Sequence, residues 1–263
     1  MSGWTLKLKS APTLRLDLRG VLPGLDDPAA LSVGYGKALV PLSEFFSATR
    51  RDDDKLVLEG DLAKADRIGW QMTQGILIVD GPVGDHAGGA MRGGELRICG
   101  AARDLAGCEM SGGLIEIGGD VGDFAASTLP GSMDGMRGGT LIVRGRAGAR
   151  FGDRMRRGSA LLFGDAGDFL GSRMVAGTIA LAGRCGAHAG YGMRRGSLVF
   201  AGAAPADSPT FVPAVADAPV FWQLLARDLA KHGGAFAELP RRAIRRRLGD
   251  LAADGKGELI TLA

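Results

Sequence analysis

The sequence predicts an all-β solenoid: a single-stranded parallel β-helix of about eight 19-residue coils, with an N-terminal β cap and C-terminal helices. Three observations carry this expectation. Glycine supplies 44 of the 263 residues, more than twice its usual share of ~7%. Met72, Met91, Met110, Met136, Met155, Met174 and Met193 follow one another at 19, 19, 26, 19, 19 and 19 residues, so a single seven-residue insertion makes the one break. In every copy glycine stands three and nine residues after Met, and positions five and seven are apolar, as Leu96 and Ile98 or Leu141 and Val143. Alternation over so short a run is strand periodicity, and strands recurring at a fixed period must bury their faces by stacking on one another.

The elements follow in chain order. Residues 1–51 form an N-terminal β cap, in which "TLKLKS" and "TLRLDL" read as the strands of a hairpin. Residues 52–202 form the Gly-rich β-helix. It opens on a degenerate copy, "KLVLEGD", in which Leu56 and Leu58 take the apolar places and Gly60 closes the run. The insertion "STLPGSM" is expected to loop out, because the apolar columns resume in phase after it. Residues 203–263 form a linker and helical cap ending in a strand. "DAPVFWQLLARDLAKHGG" reads as a helix with Asp217 as N-cap and Gly233 as stop. "LPRRAIRRRLGDLAADG" reads as a second, basic helix, and "GELITL" as the last strand.

Composition narrows the function. The formal charge of +3 favours acidic partners over bulk nucleic-acid binding. Cys99, Cys108 and Cys185 form no CxxC pair, which argues against a zinc ribbon or a disulfide framework and for a reducing, cytoplasmic setting. No apolar run approaches the ~18 residues of a membrane span. Leucine-rich and hexapeptide repeats are excluded by their own column requirements. Asp85, Asp104, Asp123 and Asp168 share the position thirteen after Met, but the calcium-binding nonapeptide pattern is missing, so they read as solvated turn residues. His86 and His188 share the position fourteen after Met with Leu105, Phe124, Arg150 and Phe169; a place that accepts Phe and Leu reads as a packing slot, not a metal site. No nucleophile–base arrangement or phosphate-cradling loop emerges, so neither a catalytic nor a metal site is expected. The basic residues beside the Met column, Arg92, Arg137, Arg154, Arg156, Arg157, Arg173, Arg194 and Arg195, should stack into a stripe along one edge. It is either a solvated rim or a track for a polyanion or acidic partner.

The run of M-x-x-G-x-[LI]-x-[IV]-x-G-x-x-G copies, with the closing "GDLAADGKGELITL", resembles the family of the C subunit of formylmethanofuran dehydrogenase. That family shares its Gly-rich β-helix with the C-terminal domain of the glutamate synthase large subunit. The freestanding length and the tail favour the former, and the Arg-rich composition without clustered Cys favours its bacterial branch, the formyltransferase/hydrolase complex of methylotrophs. The resemblance implies a non-catalytic scaffold subunit, with the A, B and D subunits as its partners. Such a complex moves formyl from a tetrahydromethanopterin derivative to a methanofuran-type carrier and hydrolyses it to formate, with the metal in the A subunit. It also gives the Arg stripe a ligand, the glutamate-rich tail of the carrier, with Arg156, Arg157, Arg194 and Arg195 as the candidate residues. Two other readings stay open: a glutamate-synthase-like β-helix domain of another amidotransferase, and a β-helix enzyme acting on a carbohydrate or an acyl acceptor.

Overall fold

The computed structural model describes residues 3–214 and 218–263. The strands along the chain are β1 (Trp4–Leu8), β2 (Leu16–Asp17), β3 (Ser32–Tyr35), β4 (Ala38–Pro41), β5 (Phe46–Arg50), β6 (Leu56–Glu59), β7 (Ala65–Asp66), β8 (Ile76–Asp80) and β9 (Glu95–Ile98). They continue as β10 (Ser111–Ile117), β11 (Arg137–Val143), β12 (Arg157–Leu162), β13 (Thr178–Leu181), β14 (Ser197–Phe200), β15 (Val212–Pro213), β16 (Ile244–Gly249) and β17 (Gly257–Leu262). Two α-helices, α1 (Leu42–Phe45) and α2 (Pro219–Ala230), accompany short 3-10 turns.

These strands form a mixed sheet of 13 in the order β15-β16-β17-β14-β13-β12-β11-β10-β9-β8-β6-β1-β5, and a sheet of four in the order β4-β3-β2-β7. From β1 through β14 to β17 the large sheet is parallel, and equivalent residues pair: Leu77 with Leu96, Ile115 with Leu141, Ile179 with Leu198. The insertion leaves this register intact, since β10 and β11 are neighbours and residues 127–136 contain no strand. β6 pairs Leu56 with Leu77, as its degenerate match to the repeat requires.

The expected single-stranded β-helix is corrected by this topology. The repeat builds a large mixed sheet instead, because each copy spends only four to seven residues on a strand. Away from the sheet the copies meet through isolated single-residue bridges, Leu62 with Val83 and onward to Ala166 with Cys185. The rest of each copy is turn, much of it in left-handed backbone. Antiparallel strands from outside the repeat, β5 at one margin and β15 and β16 at the other, complete the sheet.

Three local expectations are also corrected. The "TLKLKS" and "TLRLDL" segments do not pair: β1 lies between β5 and β6 in the large sheet, while β2 joins β3 and β7 in the small one. The "second helix" is a strand, β16, with 3-10 turns to either side, because its backbone groups pair with β17 over Ile244–Gly249. Helical structure is not confined to the C-terminal end, since α1 precedes β5. The proposed N-cap Asp217 lies outside the described residues; Ala218 flanks α2 among those described.

The main core sits between the sheet's inner face and the bridge ladder. Positions five and seven fill it from the strands, and the Met column is fully buried beside them. Each buried Leu, Ile or Val contributes about 1.5–3 kcal/mol. The glycine three after Met is required by the Met of the preceding copy: at Gly113 the backbone has φ 86°, and an added Cβ would meet Met91 Cε at 2.8 Å and the Gly94 carbonyl at 2.7 Å. A second core lies on the outer face, where Ile142, Leu161, Ala180, Val199 and Ile260 receive Trp222, Ala226 and Leu229 of α2.

Candidate functional site

The buried Met column sets the position of the arginine edge. Met155, Met174 and Met193 point inward, and three residues later the chain turns through a left-handed glycine, as at Gly177 (φ 100°) or Gly196 (φ 97°). The residues between Met and glycine therefore face outward. Arg156, Arg157, Arg194 and Arg195 are exposed, and Val175 and Ala176 occupy the same two places in the copy between them. Backbone hydrogen bonds from Arg156 N–H to Met136 O (2.8 Å) and from Arg194 N–H to Met174 O (2.7 Å) hold the copies in step. At ~4.8 Å per paired strand, the two arginine pairs stand roughly 10 Å apart.

The structure thus brings all four predicted arginines to one depression, shared with Arg137 and floored by Val175 and Ala176. Arg137 is the direct cross-strand partner of Arg157. A second depression shares Arg156, Val175 and Arg194 and continues past Arg154 and Arg173 to Asp250. Charge here is only partly compensated. Asp134, from the segment after the insertion, pairs with Arg156, and Glu109 lies 3.8 Å from Arg137. Among the described residues no carboxylate pairs with Arg157, Arg194 or Arg195. Chemically, such a surface presents fixed positive charge and paired N–H donors of the kind that suit carboxylates, because guanidinium groups keep their charge at all physiological pH values.

Two other arginines of the stripe are structural. Arg173 donates to the buried Asp153 through Nη2 at 2.9 Å, Arg154 Nε lies 3.7 Å from the same carboxylate, and the Ser172 hydroxyl donates to it at 2.5 Å. The gap at Val175 and Ala176, which makes a floor between two cationic walls, is the feature that sequence reading missed. Its signal is the one place where the Arg pair lapses between Met155 and Met193.

The histidine slot packs its side chains against neighbouring rings at the surface. Left-handed backbone, φ 62° at His86 and 61° at His188, carries the side chain at this position outward. His188 is exposed and stacks on Phe169 at 4.9 Å, with the Arg150 guanidinium 4.6 Å from the same ring. His86 is half-buried against Trp70 and near Arg67, and burial first, then the Arg67 charge, holds its pKa below the usual value. The two imidazoles stand five copies apart, roughly 24 Å, and cannot share an ion. His232 follows α2, and its carbonyl accepts from Arg144. Among the described residues no group of three His, Cys, Asp or Glu is placed to hold a metal ion. Burial pushes the Cys108 thiol up to about 12, and the three cysteines are free.

Comparison with known proteins adds the following. No family model matches the chain. The C subunit of the formyltransferase/hydrolase complex Fhc of Methylorubrum extorquens is 42% identical over 86 residues, which is 30% of this chain and 32% of that protein. That sequence match spans about a third of the curated relative. The structural match is complete: a chain of the X-ray crystal structure of the formyltransferase/hydrolase complex FhcABCD from Methylorubrum extorquens, in complex with methylofuran, is similar with a TM-score of 0.91 and 41% identity. It covers 98% of this chain and 99% of that one.

Proposed function

The chain belongs to the family of the C subunit of Fhc, and from that premise we propose that it is the non-catalytic scaffold subunit of a formyltransferase/hydrolase complex in one-carbon metabolism. The observation that carries the proposal is the likeness over the whole length, 98% of this chain and 99% of the solved one, which leaves no large part of either without a counterpart. The partners are then the A, B and D subunits, in the cytoplasm. No described helix is long and apolar enough to cross a membrane. The solved FhcABCD complex is in complex with methylofuran, which supports a methanofuran-type carrier for the complex. The tetrahydromethanopterin donor and a metal in the A subunit complete the proposal by resemblance.

The chemistry on this chain's surface agrees with a supporting role. Its richest cluster is guanidinium, which at neutral pH neither accepts nor releases a proton and so binds and orients without acid–base work. The depression between Arg156–Arg157 and Arg194–Arg195 is the proposed site for the acidic tail of the carrier, with Val175 and Ala176 as its floor. Such a tethered polyanion gains from local concentration and is screened by salt.

Purification of the chain from its host, with identification of what co-elutes, tests the assembly: the other three subunits are expected, and elution alone overturns it. Formyl transfer or hydrolysis by the isolated chain would overturn the non-catalytic role. Charge reversal of Arg156, Arg157, Arg194 and Arg195 to Glu tests the groove. Each exposed contact contributes only ~0.2–1 kcal/mol, so the fourfold variant is the informative one. A raised, salt-dependent apparent KM with normal assembly is expected, and unchanged kinetics would return the stripe to a solvated rim.

A further inference from the structure

The outward side of α2 carries apolar residues that the described residues leave exposed. Val220 and Leu224, one helical turn apart, are 72% and 63% exposed, and Phe221 between them is 42% exposed. The inward side, Trp222, Ala226 and Leu229, already anchors the helix to the sheet, so docking of α2 does not need the outward residues. Three contiguous large apolar side chains on one arc differ from the scattered single ones normal on a surface.

Charge specifies what would cover them. Phe221 lines a depression whose other walls include Arg195, Arg246 and Lys256. Glu258 engages Arg246, but among the described residues no carboxylate pairs with Arg195 or Lys256. Apolar anchors thus lie beside uncompensated cations. We infer that this face of α2 is an interface with another subunit of the complex, and that its occupant is a protein segment presenting apolar side chains flanked by Asp or Glu. A second copy of this chain fits poorly, because a two-fold contact would set the Arg195 and Lys256 region against its own equivalent, like charge on like. The inference rests on the subunit reading and adds to it the face used and the chemistry of the partner.

A photo-reactive amino acid at Leu224, placed in the chain within the assembled complex, should crosslink to an acidic segment of another subunit. A crosslink to a second copy, or none in an assembled complex, overturns the inference. The V220S/F221S/L224S variant should lose roughly tenfold in partner recovery, as truncation of interface anchors does, with the thermal unfolding of the free chain unchanged. Lys256→Glu, which leaves the apolar residues in place, should lose less and show the larger loss at low salt. Wild-type recovery for both variants overturns the interface. Failure of the wild-type chain to assemble at all would instead overturn the subunit reading beneath it.

Discussion

Asp104 accepts, through Oδ1, the backbone N–H of Asp123, one repeat further on and 2.9 Å away. The same bond recurs from Asp66 to Asp85 N–H (2.8 Å), from Asp123 to Ala149 N–H (2.7 Å) and from Asp168 to Ala187 N–H (2.7 Å). Aspartates that read as solvated turn residues are therefore stitches between copies. A further glycine column stands twelve after Met in five copies, at Gly84, Gly122, Gly148, Gly167 and Gly186, and the stitches explain members of it: a Cβ at Gly122 would overlap Asp104 Oδ1, and one at Gly148 would overlap Asp123 Oδ1. Where the column lapses, at Arg103, the side chain reaches Asp85 instead, Nε to Oδ1 at 3.1 Å.

Asp104→Ala should cost about 0.5–1.5 kcal/mol, the net contribution of one such bond. Gly122→Ala should cost more, about 1–3 kcal/mol, since the added methyl displaces the carboxylate and meets the Arg103 backbone. Denaturant unfolding of the two variants checks the order. Equal stability of wild type and Gly122→Ala would mean that the stitch is not needed.

The strand register was legible because Met, the two glycines and the apolar pair each repeat without exception, from Leu77/Val79 to Leu198/Phe200. Closure was not, because the turns depend on left-handed residues as varied as His86, Leu105, Phe124 and Arg150, which share no side-chain chemistry. β16 read as a helix since Ile244 and Leu248 are four apart; the free edge of β17 outweighed local propensity. The docking site of α2 was recoverable from position six, which is polar at Arg97 and Glu116 but apolar in four successive later copies at Ile142, Leu161, Ala180 and Val199. The four arginines were placed from spacing alone, while the pairing of Arg156 with Asp134 depends on how the insertion folds back, which spacing does not encode.

Alkylation of the native protein should mark Cys99 first, because it is exposed, and Cys185 more slowly, because burial raises its pKa. Cys108, buried and with its thiol pushed up to about 12, should react only on unfolding. Mass spectrometry after brief iodoacetamide treatment reads the sequence of events. Early labelling of Cys108 would contradict the packing around Trp70 and Gly89.

Replacing His86 and His188 by Phe should be tolerated, since Phe124 and Phe169 hold the same backbone at φ 60° and 62°. Turnover of the complex should stay within a few-fold; its collapse with assembly intact would assign these imidazoles a catalytic role. His86 carries a pH signature as well. Its folded pKa lies below the unfolded value of ~6.5, so its contribution to stability is present above that value and is lost as pH falls through the folded one. Thermal melts of His86→Phe across pH 5–7 should show a flatter slope than wild type.

The C-terminal segment hangs on Asp250, which is buried and accepts from Gly192 N–H at 3.0 Å and from Ala252 N–H at 3.1 Å, while its own N–H donates to Met193 O at 3.2 Å. Burial opposes ionisation of this carboxyl, yet bonds from the Thr210 hydroxyl and the two amides outweigh it and hold the pKa below the usual carboxylate range. A depressed folded value means that the stabilisation is complete above the unfolded pKa of ~3.9 and is lost as pH falls through the folded one. Asp250→Ala leaves the Gly192 amide without its acceptor and should cost about 1–3 kcal/mol at pH 7, a fall of roughly 2–4 °C in Tm per kcal/mol for a chain of this size. Asp250→Asn keeps one acceptor and should cost less, and its difference from wild type should shrink as pH falls below the unfolded value of ~3.9. Because Arg154, Arg173 and Arg194 line the depression beside Asp250, the melts need a high-salt arm. Loss of general charge balance would fade there, whereas loss of the buried hydrogen bonds would persist. A pH-independent gap between Asp250→Asn and wild type would show that the ionised form is not what holds the segment to Gly192.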